Sequence, residues 1–277
     1  MTKRFLVLAY GVGAYLLFLV SFCYAIAFVG GFVVPRTVDD GIGDGRPLPA
    51  AIAINSLLLG IFAVQHSVMA RPWFKRWWTR FVPQSLERST FVVLASLALL
   101  LLYWQWRTMP AVVWHVEAPA IRALLWAVFW LGWATVLAAT FMIDHFELFG
   151  LSQVITAWRG TVRPETGFRA TMFYRLVRHP LMLGFLLAFW AAPTMTAGHL
   201  LFAVATTGYV LIAIQLEERD LMASLGDGYR VYRRSVPMLV PGLRPRSSCP
   251  VAHHGAPVGA KSSASKLGVT PRSSRSG

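Results

Sequence analysis

From Phe5 to Val34 the chain carries no charged side chain. About 20 apolar residues suffice to cross the ~30 Å hydrocarbon layer of a bilayer, so a run of this length predicts a transmembrane helix. Ala25 and Ala27 imitate a leader-peptide cleavage site, but the apolar stretch is too long for a typical leader, and it is read as a retained first helix. Comparable runs follow at about 50–70, 89–106 and 121–143, and a last pair lies at 181–192 and 200–216. Inside hydrocarbon every backbone N–H and C=O must be paired within its own segment, which restricts such runs to helices. The expected fold is therefore an all-α polytopic membrane helical bundle with five or six membrane helices.

The final pair is unequal in length. Its first limb is only about 12 residues long and stops before Pro193, too short to span unless it continues or is shielded by neighbours. Because both outer ends of the pair adjoin basic segments, the two limbs are expected to enter and return as a helical hairpin. Arg71, Lys75, Arg76, Arg80 and Arg88 concentrate in the second loop, with Trp73, Trp77 and Trp78 among them, as in an interfacial segment beside anionic lipid. Basic residues alternate in density from loop to loop, and the bias places the N-terminus, the 71–88 and 144–179 segments and the C-terminus in the cytoplasm. The net charge of +14 is thus assigned to the lipid bilayer as partner and not to nucleic acid, for which no recognisable fold is present. Cys23 and Cys249 form neither a disulfide framework nor a metal-type spacing, and no metal is expected. Residues 1–243 are read as the membrane domain, and 244–277, rich in Ser, Gly, Pro and basic residues, as a disordered tail.

Chemistry concentrates in Tyr174 to Gly184, Tyr-Arg-Leu-Val-Arg-His-Pro-Leu-Met-Leu-Gly, and in Glu217-Glu218. Pro180 suits the first turn of a helix, with His179 near its cap. The free N–H groups and positive dipole end there, with Arg178 beside them, make a seat for a carboxylate or phosphate. A second limb ending on the two glutamates would bring carboxylates to the same membrane face. Opposed cations and carboxylates at one mouth suit a small zwitterion.

Tyr174, Arg178-His179-Pro180, Gly184, Glu217-Glu218, Leu221, Gly226, Tyr229, Tyr232 and Val236-Pro237 together resemble the C-terminal signature of isoprenylcysteine carboxyl methyltransferase-like membrane enzymes. Gln65-His66-Ser67, Met69-Ala70-Arg71 and the block from Asp144 to Leu151 are similar to the nurim branch and its thiol-methylating bacterial members. The resemblance implies S-adenosyl-L-methionine as methyl donor, with a cytoplasmic cofactor site inside the 144–241 region. Tyr174, Arg178, His179, Pro180, Glu217, Glu218 and Tyr229 are its expected cofactor-binding residues, Arg178 and the helix start taking the donor's carboxylate. It further implies a small volatile thiol as acceptor, methanethiol, converted to dimethyl sulfide.

A thiol must lose its proton before it attacks. His145 and His66 are the candidate catalytic bases, since imidazole titrates near neutrality. The stretch Val210 to Leu216 lacks the arginine with which the prenylcysteine enzymes grip a carboxylate, which weakens a carboxylate acceptor and favours a neutral thiol. Met182 stands where many relatives place tyrosine, leaving one cofactor contact open. Another lipophilic thiol, a prenylcysteine carboxylate, or a non-catalytic scaffold of the same fold are the rival readings. A haem protein using these histidines is a further one, without a Cys-x-x-Cys-His attachment motif.

Overall fold

The structure is a computed structural model and describes residues 2–43, 45–161 and 172–242; the expected disordered tail, 244–277, lies outside them. Among the described residues, five helices are long and apolar enough to cross a membrane: α1 (Thr2–Gly30), α2 (Leu48–Ala70), α4 (Gln84–Gln105), α5 (Pro119–Ile143) and α9 (Ala197–Leu225). Between them lie α3 (Pro72–Trp78), α6 (His145–Leu148), α7 (Leu151–Arg159) and the short apolar α8 (Pro180–Trp190), and α10 (Asp227–Ser235) closes the described chain. Among the described residues the bundle is all-α but for two short strands, β1 (Val112–His115) and β2 (Thr194–Thr196), which pair antiparallel.

Helix ends follow local chemistry. α1 stops at Gly30, short of the apolar run's end at Val34, because Gly31 and Val33 take positive φ values of 71° and 68°. Pro begins or precedes several helices, where its missing N–H costs nothing. The basic 71–88 segment is not a plain loop, since Pro72–Trp78 forms a helix that exposes Trp73 and Trp77.

One aromatic core joins the spans. Phe28, Tyr103, Trp106, Phe129, Trp133 and Phe202 are buried together, with edge-to-face pairs such as Trp106–Phe202 (ring centroids 6.0 Å) and Phe129–Trp133 (6.2 Å). α5 and α8 make the tightest crossing, with Gly132 set against Gly184. A Cβ added at Gly132 would sit 2.7 Å from both the Gly184 carbonyl oxygen and the Ala188 nitrogen, and one at Gly184 would sit 2.7 Å from the Gly132 oxygen. Only glycine allows this backbone approach, a familiar device where helices associate in lipid.

α8 and α9 form the expected hairpin, and its short limb has a physical explanation. At one end His179 meets Glu218, and at the other Trp190 Nε1 donates to Thr207 Oγ1 at 2.9 Å, so the helices run antiparallel in step. α8 covers about 16 Å at ~1.5 Å per residue, roughly half a bilayer. From Ala191 the chain continues extended, rising about 3.3 Å per residue, and completes the crossing in few residues. Its backbone groups are not left bare. The Ala192 carbonyl accepts from Trp114 Nε1 (3.0 Å), the Pro193 carbonyl accepts from Val116 N (2.9 Å), and β2 pairs with β1. Paired polar groups of this kind are the condition for non-helical backbone at such depth.

The second limb departs from expectation. α9 does not end on the two glutamates but continues through them to Leu225, where Gly226 turns the chain at φ 60°. Charged residues end an apolar run without ending a helix, and the glutamates gain partners by staying helical.

Candidate active site

α9 places its acidic residues by helical geometry. Successive residues rotate by about 100°, so Glu218 points toward α8 and α10, Asp220 toward α2, and Glu217 between the two. Each direction has a matching partner. Arg71, at the end of α2, pairs with Asp220 at 2.8 Å. Glu218 is 1% exposed and is surrounded by nitrogen donors: Arg178 Nε donates to its Oε1 at 2.8 Å, His179 Nε2 donates to the same oxygen at 3.1 Å, and Arg233 Nε lies 2.9 Å from Oε2 without hydrogen-bond alignment.

The structure therefore brings Arg178, His179, Pro180, Glu217 and Glu218 together, but it divides the labour among them. Of the Arg178 nitrogens, Nε serves Glu218 and Nη1 donates to the carbonyls of Arg233 (2.8 Å) and Val236 (2.6 Å). Through Nε and Nη1 that guanidinium ties α8, α9 and α10 into one unit. Backbone bonds reinforce the tie, with Arg178 N donating to Pro237 O (2.8 Å) and His179 N to Met238 O (3.2 Å). Glu217 is different: its side chain is 46% exposed, and His179 Nδ1 lies 3.7 Å from its Oε2. It is the carboxylate at the open mouth of the cluster.

Three tyrosines border that mouth. The hydroxyl of Tyr232 donates to the Tyr174 carbonyl at 2.6 Å, and Tyr229, 2% exposed, packs its ring 5.8 Å from that of Tyr232. Burial and then the Glu217 carboxylate push the Tyr174 hydroxyl well above the usual tyrosine range; for Tyr229, burial and Glu218 do the same. Tyr232 is pushed up to about 12, chiefly by burial. All three stay neutral donors at physiological pH.

The two candidate bases lie apart from this cluster and differ from each other. His145 is 4% exposed, with its ring stacked on Phe141 at 4.3 Å. Thr140 Oγ1 spends its hydrogen on the Leu137 carbonyl (2.7 Å), so it accepts from His145 Nδ1 (2.8 Å); Nε2 is then the acceptor for the Tyr15 hydroxyl at 2.8 Å. Both ring nitrogens are used, and burial outweighs Asp144 in lowering the imidazole below its usual range. Asp144 itself bends the chain between α5 and α6 at φ 146°, with its carboxylate accepting from Glu147 N at 3.0 Å. His66 sits in α2 between the rings of Phe62 (5.2 Å) and Phe91 (4.9 Å), and its shielded Nδ1 has no hydrogen-bond partner among the described residues.

Sequence reasoning did not single out Arg233, Asp220 or Tyr15. Arg233 follows Tyr229 at i,i+4 helical spacing, which was a legible sign. Tyr15 lies in an apolar helix 130 residues from its partner, and nothing local marks it.

Over 239 residues the chain is 67% identical to the methanethiol S-methyltransferase of Mycobacterium tuberculosis, an overlap of 86% of this chain and 97% of that protein. It is 54% identical over 260 residues to methanethiol S-methyltransferase 2 of Bradyrhizobium diazoefficiens, covering 94% and 99% of the two chains. Mouse nurim is 32% identical over 184 residues, 64% of this chain and 70% of nurim. No family model matches the chain, and no solved structure matches it.

Proposed function

Because the chain belongs to the methanethiol S-methyltransferase family, with nurim as a more distant relative, we propose that it is a membrane enzyme methylating methanethiol to dimethyl sulfide with S-adenosyl-L-methionine. The observation that carries the reading is the half-exposed Glu217 carboxylate beside His179, at the mouth of the buried Arg178–Glu218 pair. A donor bearing an ammonium and a carboxylate fits that mouth: Glu217 takes the ammonium, while the first-turn N–H groups after Pro180 receive the carboxylate. Tyr174 and Tyr229 border the nucleoside. Arg178 and Glu218 act by fixing His179, which serves as a positioned hydrogen-bond donor and not as a base.

Once bound, the donor supplies an electrophilic methyl group on a sulfonium. The protein's own task is to hold acceptor and donor in line and to keep water away. A neutral acceptor agrees with the side chains of Val210 to Leu216, none of which carries a charge. Dense basic residues at the site's membrane face argue for a cytoplasmic site, with both termini on that side. The test is headspace gas chromatography over membranes given methanethiol and S-adenosyl-L-methionine, with His179→Ala and donor-free membranes as controls. Dimethyl sulfide that requires both donor and His179 is the expected result; donor binding without product would refute methanethiol as the acceptor.

A further inference from the structure

The reaction needs a place for the thiol and a group to take its proton, and the two candidate histidines are not equivalent. His145 has committed Nδ1–H to Thr140 and the Nε2 lone pair to Tyr15, both at 2.8 Å. To act as a base it would first have to give up the hydrogen bond from Tyr15. His66 holds a shielded Nδ1 with no partner among the described residues. A buried polar atom left without a partner costs about 1–3 kcal/mol and calls for an explanation.

Helix register places His66 near the donor mouth. α2 and α9 run side by side in the same direction, since Phe62 meets Tyr209 (ring centroids 6.1 Å) near one level and Arg71 meets Asp220 (2.8 Å) at another. The register between those contacts sets His66 level with Ala213. Glu217 stands one turn of α9 beyond Ala213, about 5 Å toward the basic face. The walls around His66 are apolar, formed by Phe62 and Phe91. Two cations act on it: Arg71, held by Asp220, and Arg88, whose guanidinium lies 5.8 Å from the centre of the Phe91 ring.

Resting on the functional reading above, we infer that the thiol binds between α2, α4 and α9 and that His66 Nδ1 is the base that receives its proton, while His145 is a structural histidine. The S–H proton moves to Nδ1, giving an imidazolium. The sulfur lone pair then forms the new C–S bond to the donor's methyl as the sulfonium C–S bond breaks, and the donor leaves as a neutral thioether. Aromatic walls suit a small alkyl thiol. The imidazolium returns its proton to water after product leaves.

The experiment uses the purified full chain in lipid nanodiscs, with His66→Asn and His66→Gln beside His145→Asn. S-adenosylhomocysteine affinity by isothermal titration should be unchanged in both His66 variants, which also reports that they are folded. Methanethiol turnover should fall by about 100-fold or more, the scale of a lost general base. The loss should shrink with an aryl thiol, which is already ionised at neutral pH and needs no base, whereas His145→Asn should treat both thiols alike. Full turnover in the His66 variants, an equal loss for alkyl and aryl thiols, or lost homocysteine-ligand binding would overturn the assignment. A wild-type protein that binds the ligand and methylates no thiol would instead overturn the functional reading on which it rests.

Discussion

Replacing Arg178 with alanine tests the cluster at its centre. The side chain joins three elements: it meets Glu218 at 2.8 Å, with the two side chains 8% and 2% exposed, and it reaches the carbonyls of Arg233 and Val236 at 2.8 and 2.6 Å. Removing one partner of a buried ion pair costs about 3–5 kcal/mol, because the remaining charge is stranded away from water. Here Arg233 and His179 stay near the carboxylate and soften the loss, so the lower end, about 3 kcal/mol, is expected. At 1.4 kcal/mol per factor of ten that is on the order of a hundredfold in the local opening equilibrium. The opening should be confined to α10 and the chain after it, since these are what the two carbonyl bonds hold. Hydrogen exchange read by mass spectrometry in nanodiscs should show faster exchange in residues 226–242, with the spans α1, α2 and α4 unaffected. Arg178→Lys should fall between, as an ammonium cannot reproduce the planar fork. Unchanged exchange in 226–242, with an unchanged melting temperature, would refute the latch and return Arg178 to a free ligand-binding role.

Two further outcomes follow from the packing and the buried histidine. Gly184→Ala should destabilise the protein by about 1–3 kcal/mol, since its Cβ would meet the Gly132 backbone at 2.7 Å and overpacked contacts cost that much; a melting temperature in detergent equal to wild type would show that α5 and α8 separate freely. His145 has a depressed folded value because it is buried, so below the unfolded value of about 6.5 the unfolded chain binds the proton more readily and stability falls as pH drops from about 7 toward 5. His145→Asn should flatten that slope in melting curves, and an unaltered slope would mean that another group carries it.

How much of this was legible in advance depended on range. The five spans followed from apolar runs, because hydrocarbon admits only helices there, and the helix start at Pro180 followed from the geometry of one ring. The meeting of Arg-His-Pro with Glu-Glu was also foreseeable, since a hairpin with basic flanks returns to the face it left. The continuation of α9 past Glu217 was not, because a run's hydropathy marks where hydrocarbon ends and says nothing about where hydrogen bonding ends. Strand pairing between Val112–His115 and Thr194–Thr196 was equally hidden, since each segment is too short to show a period and gains its bonds only from the other.

The site divides in the same way. Sequence determined which side chains gather at the mouth, because charge, proline and apolar length act locally along the chain. Tertiary structure decided what each one does there: it buried Glu218 and set Arg178 against it, left Glu217 half open, occupied both nitrogens of His145 and left Nδ1 of His66 without a partner among the described residues. Availability depends on which groups the fold brings within hydrogen-bond reach, and those partners stand up to 149 residues away along the chain.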